Sequence, residues 1–308
     1  MTALDQALSD YLTLRRRLGY YLERDQPQLE QFVCFLEQAG AQRITTELAL
    51  RWARIPANQH PIIWRRRLSM VRQFARYLAT VDPASEIPSK DLLPAHQPRV
   101  APYIYSPQEI ARVMAAARGL RRPLTAALFE TAIGLMASTG LRLREALALD
   151  RADVDLEDGV LDIRAVKNHR QREVVLHPSA TAALEHHGQV RDEHCPKPAT
   201  PAFFVTDQGR RPHKTVFWHT FRALIKQAGL EGCGQRVRPR PHDLRHTFAV
   251  KTLIGWYRSG EQIDCKMPAL STYLGHVSPE STYWYLQSVP ELIELVSERL
   301  DEIGEGLS

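Results

Sequence analysis

The sequence predicts a mainly α-helical chain with one small antiparallel β-sheet (α+β). It divides into an N-terminal four-helix domain over residues 1–82, a proline-rich linker over 83–105 and a mixed α/β domain over 106–308. Three observations carry this. Apolar residues recur at helical spacing behind capping signals in the first 80 residues and again after Ser106. One cluster of β-formers lies between Val160 and Leu176, split by a basic loop. Between Val81 and Pro107 stand Pro83, Pro88, Pro94, Pro98 and Pro102, a density that stops helices and gives an extended connector.

In the first domain the second helix is the clearest. Pro27 suits its first turn, Leu29, Phe32, Val33 and Leu36 share one face, and Gly40 closes it. A third helix is capped by Thr45 or Thr46 and ends before Pro56. The fourth, from about Ile62 to Leu78, buries Leu68, Val71, Phe74 and Leu78 and leaves Arg65, Arg66, Arg67, Arg72 and Arg76 on its remaining surface. With Arg15, Arg16 and Arg17 in the first helix, the bundle carries two arginine runs, and guanidinium forks grip phosphate oxygens bidentately. Arg65, Arg66, Arg72 and Arg76 are therefore candidate DNA-backbone contacts.

Past the linker, Ser106-Pro107-Gln108-Glu109 writes a capping box with proline in the first turn, and Ile110, Val113, Met114 and Ala117 form the buried face behind it. A second apolar helix covers about Leu124 to Ser138 and breaks at Gly140; Arg142 then opens another, where outward-pointing N–H groups also favour an anion. Val160–Val166 and Glu173–Leu176 read as a hairpin around the loop from Lys167 to Arg172. His186, His187, His194 and Cys195 lack the spacing of a zinc finger and read as a polar surface loop; Phe203–Val205 reads as an edge strand, and a helix follows over about Lys214–Ala228.

Composition bounds the function. The chain has 308 residues, 44% apolar and 24% charged, with a net charge of +5, which suits a globular protein and tilts toward a polyanionic partner. No run approaches the roughly 18 apolar residues of a membrane span, and the first residues do not resemble a secretory leader. A soluble cytoplasmic protein with no membrane association is expected. Cys34, Cys195, Cys233 and Cys265 form no CxxC pair and read as reduced thiols.

The chemistry concentrates between Pro241 and Leu286. Pro-His-Asp-Leu-Arg-His, Leu-Gly-His and Tyr-Trp-Tyr-Leu supply imidazoles, a guanidinium and phenols without a carboxylate cluster. Such a set suits an anion gripped beside a hydroxyl nucleophile better than a hard cation, so neither metal nor other cofactor is expected. Arg238 and Arg240 deliver the chain, strongly basic, to His242 and join the candidate DNA contacts.

The ordered set Thr139-Gly140-Leu141-Arg142, the hairpin Lys167, His242-Asp243-Leu244-Arg245, Leu274-Gly275-His276 and a tyrosine nine residues on resembles the tyrosine recombinases, the phage-integrase family. The resemblance covers the C-terminal portion, and the N-terminal bundle looks like that family's core-binding (SAM-like) domain. It implies that Arg142 and Arg245 bind the non-bridging oxygens of a DNA phosphate, and that Tyr285 attacks phosphorus to leave a 3′-phosphotyrosyl link. Lys167 resembles the general acid for the leaving 5′-oxygen. His242 would assist proton movement at the tyrosine, His276 would bond the phosphate, and Glu145 would steady Arg142. The hairpin departs from the family in lacking a glycine beside Lys167, which leaves Arg170 or Arg172 as further candidates near that role.

Tyr283 is the rival nucleophile. On a helix it points about 200° from Tyr285, and the family spacing selects Tyr285, leaving Tyr283 to pack on an apolar face. His246 and His169 read as helix packing and loop solvation. The expected function is site-specific recombination of double-stranded DNA, of integrase or transposase type, through a Holliday junction. Leu292, Leu295, Val296 and Leu300 form a stripe on a tail helix that would join a DNA-bound homotetramer. A type IB topoisomerase and a catalytically silent DNA-binding accessory protein are the alternatives.

Overall fold

Capping chemistry begins the first helix. Thr2 Oγ1 accepts a hydrogen bond from Asp5 N–H and the Asp5 carboxylate accepts one from Thr2 N–H, which opens α1 (Ala3–Arg17). The computed structural model describes residues 2–20, 22–94, 101–164, 171–231, 238–275, 280–288 and 291–294. They belong to two compact units, Met1–Arg99 and Val100–Ser308.

In the first unit, α2 (Gln26–Gln38), α3 (Thr46–Ala53) and α4 (Pro61–Leu78) follow the predicted signals: Pro27 in a first turn, Thr45 accepting from Leu48 N–H, and Gly40 at φ +66° behind α2. Leu8, Leu29, Phe32, Leu36, Trp52, Leu68, Val71 and Phe74 form the core. Two arginines of α4 leave the solvent face expected for them. Arg72 is only 9% exposed, and its Nε and Nη2 donate to the carbonyls of Pro88 and Ser89 at 2.8 and 2.9 Å. Arg67 lies over the Trp52 ring, 3.7 Å from its centroid, and donates to Trp52 O.

Arg72 is held because the chain folds back after α4. Glu86 N–H donates to Ile44 O, the Glu86 carboxylate accepts from Thr46 N–H, and Leu93 is buried in the bundle core. Prolines prevent helix here, but they do not prevent burial. Beyond residue 100, Tyr103 and Tyr105 enter the core of the second unit.

That unit starts with α5 (Pro107–Arg118) behind the Ser106–Glu109 capping box. The buried helix α6 (Pro123–Thr139) follows and stops at Gly140, φ +66°. A Cβ at Gly140 would lie 2.6 Å from the Phe248 ring and 2.9 Å from Leu274, so glycine is needed both for the turn and for the close approach. After α7 (Leu143–Ala148) come β1 (Val154–Asp155), β2 (Val160–Ile163) and β3 (Arg172–Val175), an antiparallel meander with Leu161 opposite Val174 and Ile163 opposite Arg172. Leu161, Ile163 and Val174 face the core.

Residues 186–194 are not a loop. They lie in α8 (Pro178–His194), with His187 fully buried against Phe203 and Phe204. Its buried face includes His187 and Arg191, polar residues that break the apolar stripe from which helices are read. Among the described residues no group of three His, Cys, Asp or Glu could hold a metal. The expected strand at Phe203–Val205 is absent as well. A single bridge joins Asp150 and Ala202, and all three side chains are buried where an edge strand would bury alternate ones.

The chain closes with α9 (Lys214–Gln227), α10 (Pro241–Arg258), α11 (Ile263–Leu274) and α12 (Glu280–Ser288). Leu292, the first residue of the predicted tail stripe, packs with α10 and α11 residues of its own unit, while the stripe positions Leu295, Val296 and Leu300 lie outside the described residues. Among the described residues no helix is long and apolar enough to cross a membrane.

Candidate active site

Helix ends build the site. α6 stops at Gly140, α7 begins behind Arg142, α10 begins behind Arg240, and α11 stops at Gly275, φ +65°. Carbonyls at a helix C-terminus have no intrahelical donor and carry partial negative charge, so they attract cations. Here guanidiniums satisfy them.

Arg245, in the second turn of α10, is 1% exposed; its Nη1 donates to Gly140 O at 2.9 Å and its Nη2 to Leu274 O. Arg142 Nη2 donates to Gly275 O at 2.8 Å. Arg172, from β3, donates through Nε to Tyr273 O at 2.8 Å and through Nη1 and Nη2 to the two oxygens of Glu145 at 3.2 and 2.8 Å. Glu145 also accepts from the backbone N–H and Nη1 of Arg142, at 2.9 and 2.7 Å. Burial pushes its carboxyl upward, but the hydrogen bonds and charges of Arg172 and Arg142 prevail and hold it below the usual carboxylate range. Three arginines from three elements are thus locked around one carboxylate and the end of α11. A Cβ on Gly275 would lie 2.8 Å from Arg172 Nη1, so glycine again permits the approach.

Asp243, buried at the third position of α10, accepts from Arg240 N–H and pairs with the Arg240 guanidinium at 2.9 Å. Burial raises the Asp243 carboxyl, and Arg240 partly offsets it. His242 presents an edge to solvent, yet enough protein packs around its ring that burial first, then Arg245, Arg142 and Arg240, push its pKa down to about 4. At neutral pH it is the uncharged imidazole.

Tyr285 of α12 is 2% exposed, whereas Tyr283 is 42% exposed and faces away from the core. Burial raises the Tyr285 phenol's pKa, and Arg245 and Arg142 pull against that rise. Its hydroxyl lies 2.8 Å from Nδ1 of His246, one turn beyond His242 on α10. The His242 and His246 rings meet edge to face with centroids 4.6 Å apart.

Arg142, Glu145, His242, Arg245 and Tyr285 therefore meet in one place. Lys167, Arg170 and His276 lie outside the described residues. Three expectations change. Tyr283 does not pack on an apolar face. His246 does more than pack a helix, and the i, i+4 spacing from His242 was the signal that could have found it. Arg172, named as a further candidate near the acid role, sits in a buried ion pair with Glu145, a partner 27 residues away that no local pattern reveals. Of the candidate DNA contacts, Arg66, Arg76 and Arg238 are exposed and Arg65 is half-buried; Arg240 is paired with Asp243 and Arg72 is buried.

The sequence pattern of the Phage integrase family matches residues 105–291. A Sinorhizobium fredii protein named as an integrase/recombinase, y4rB, is 40% identical over 311 aligned positions that cover 99% of each chain. The tyrosine recombinase XerC of Roseiflexus castenholzii is 27% identical over 71% of this chain and 66% of its own. Among solved structures, the Tn1549 transposon integrase in complex with transposon right end DNA superposes with a TM-score of 0.67 at 16% identity, covering 99% of this chain and 100% of that one. XerH recombinase bound to its difH substrate gives 0.62 at 17% identity over 88% and 76% of the respective chains. At those identities the two structures speak for the fold.

Proposed function

The chain belongs to the phage integrase family, the tyrosine recombinases, and is a DNA breaking-and-rejoining enzyme of that kind; from that premise we propose that it performs site-specific recombination with Tyr285 as nucleophile. The observation that carries the assignment is the pairing of a buried phenol, Tyr285, with the helix-end arginines Arg245 and Arg142, whose charges reach it.

In the proposed step a phosphodiester lies against Arg142, the more exposed of the pair, with Arg245 behind it. Two guanidiniums offset the charge that accumulates on the non-bridging oxygens as phosphorus becomes five-coordinate. The Tyr285 oxygen forms the new bond to phosphorus, the bond to the 5′-oxygen breaks, and Lys167 protonates that leaving oxygen. His276 bonds the phosphate. The phosphotyrosyl link preserves the bond energy, so a 5′-hydroxyl of a partner strand can reverse the step, and two such exchanges pass through a Holliday junction. Glu145 steadies Arg142 by the two hydrogen bonds described above.

The N-terminal bundle, residues 1–82, serves as the core-binding domain, with Arg66 and Arg76 offered to the DNA backbone and 83–105 linking it to the catalytic domain at 106–308. Chains assemble as a homotetramer on a double-stranded recombination site through the C-terminal segment. Removing residues 295–308 should spoil paired-site synapsis more than single-site binding; equal loss of both would make that segment ordinary core. The relatives named as an integrase/recombinase and as a tyrosine recombinase favour recombination over relaxation by a type IB topoisomerase.

The test uses random-sequence duplexes selected for binding to the protein, nicked so that cleavage traps the enzyme, and resolved under denaturing conditions. A covalent adduct that persists in Tyr283→Phe and vanishes in Tyr285→Phe is the expected result. Adduct in Tyr285→Phe would overturn the assignment, and supercoil relaxation without strand transfer between duplexes would favour the topoisomerase.

A further inference from the structure

We propose that His246 is the base that receives the Tyr285 proton during strand cleavage, which deepens the recombinase reading above and rests on it. The carrying observation is geometric. Nδ1 of His246 lies 2.8 Å from the Tyr285 hydroxyl, the reacting atom, with the rings tilted at 64° and centroids 5.4 Å apart. The rings of His242 from the same helix and Trp284 from α12 pack edge to face with the imidazole, their centroids 4.6 and 5.9 Å from its own. A hydrogen bond of this length is what proton transfer requires before any movement of the chain.

The alternatives among the described residues are occupied elsewhere. Glu145 accepts from Arg142 and Arg172, and Asp243 accepts from the Arg240 backbone and guanidinium, so neither carboxylate is left as a base. His242 faces the arginines Arg245, Arg142 and Arg240. Burial makes the phenol hard to ionise unaided, so an acceptor on its oxygen is needed.

The tautomer with hydrogen on Nε2 leaves the Nδ1 lone pair for the phenol. As the Tyr285 oxygen bonds to phosphorus, its proton passes to Nδ1 and His246 becomes imidazolium, while the phosphorus bond to the 5′-oxygen breaks and that oxygen takes a proton from Lys167. In rejoining, the attacking 5′-hydroxyl returns its proton to Lys167, and His246 returns its own to the departing phenolate, so both groups are reset. Among the described residues, charged or titratable groups facing the pair include His242 and Arg245 on α10 and Arg142 at the start of α7.

The experiment measures single-turnover adduct formation on the nicked duplex from pH 5.5 to 9 for the wild type, His246→Asn and His246→Ala, each matched for melting temperature and DNA affinity. Asparagine keeps a hydrogen-bonding group near the phenol but cannot take its proton. The expected loss is about 10²- to 10⁴-fold in both variants, with a rate that climbs steadily with pH where the wild type levels off, and partial rescue of His246→Ala by added imidazole. A substrate with a 5′-bridging sulfur needs no acid for its leaving group; it should restore Lys167→Ala and leave the His246 variants slow. His246→Asn within about threefold of the wild type and with the wild-type pH profile would make the contact a packing one and overturn the proposal. So would recovery of the His246 variants on the sulfur substrate. If the wild type forms no Tyr285-dependent adduct, the recombinase reading itself fails, and the base assignment with it.

Discussion

Arg72 in the N-terminal bundle and Arg245 in the catalytic unit are both buried, and each hands its guanidinium hydrogens to a pair of backbone carbonyls. Their surroundings differ. Arg72 clamps one returning segment to one helix, and its charged neighbours are Arg76, Arg65 and Asp91. Arg245 joins the ends of two helices, and beside it converge Arg142, Arg172, Glu145 and the phenol of Tyr285. Burial and carbonyl bonding therefore do not distinguish a structural arginine from one placed for chemistry. Convergence of charged groups from several elements on one buried phenol does.

The difference can be probed from its strongest consequence downward. Arg245→Lys keeps a charge but loses the fork that spans Gly140 and Leu274, and should lower single-turnover cleavage by about 10²- to 10³-fold; a loss under tenfold would place Arg245 with Arg72 as a clamp only. Arg172→Ala removes two of the donors on a buried carboxylate and should destabilise the catalytic unit by about 3–5 kcal/mol in denaturant unfolding. Its pH dependence has a definite sign. Glu145 is held below the ordinary carboxylate value, so its ionised form contributes stability above that value and the contribution is lost as pH falls through the depressed one. Arg172→Ala should flatten that acid limb.

Arg72→Ala should destabilise the bundle by about 1–3 kcal/mol through the unsatisfied carbonyls of Pro88 and Ser89. Arg66→Ala, at an exposed position of the same helix, should leave the melting temperature unchanged and reduce the slope of log affinity against log salt by about one. A salt-slope change in Arg72→Ala as large as that in Arg66→Ala would erase the contrast between the two positions.

Most helices were legible because their signals are local: the Ser106–Glu109 box, Thr45 as a cap, Gly140 as a stop. The grouping of Arg142, His242, Arg245 and Tyr285 could be anticipated because their residue types occur in a recognisable order along the chain. What escaped depends on distant partners or broken patterns. The position of Arg72 beside the stripe of Leu68 and Ala75 hinted at burial, but its carbonyl partners come from a fold-back that proline density disguised. Helix α8 hid behind its buried histidine and arginine. Arg172 meets Glu145 only once the sheet has formed.

The bond that Arg245 makes to Gly140 and Leu274 bears on how this family should be read through its descendants. A copy that had abandoned strand cleavage would still need an arginine there to join α6 to α11, so its retention is poor testimony that a lineage remains active. The Tyr285 hydroxyl is a better witness. Phenylalanine would fill the same buried space and forfeit the hydroxyl's contact with His246, so on the proposed assignment position 285 is where decay of activity would leave its mark while the architecture survived.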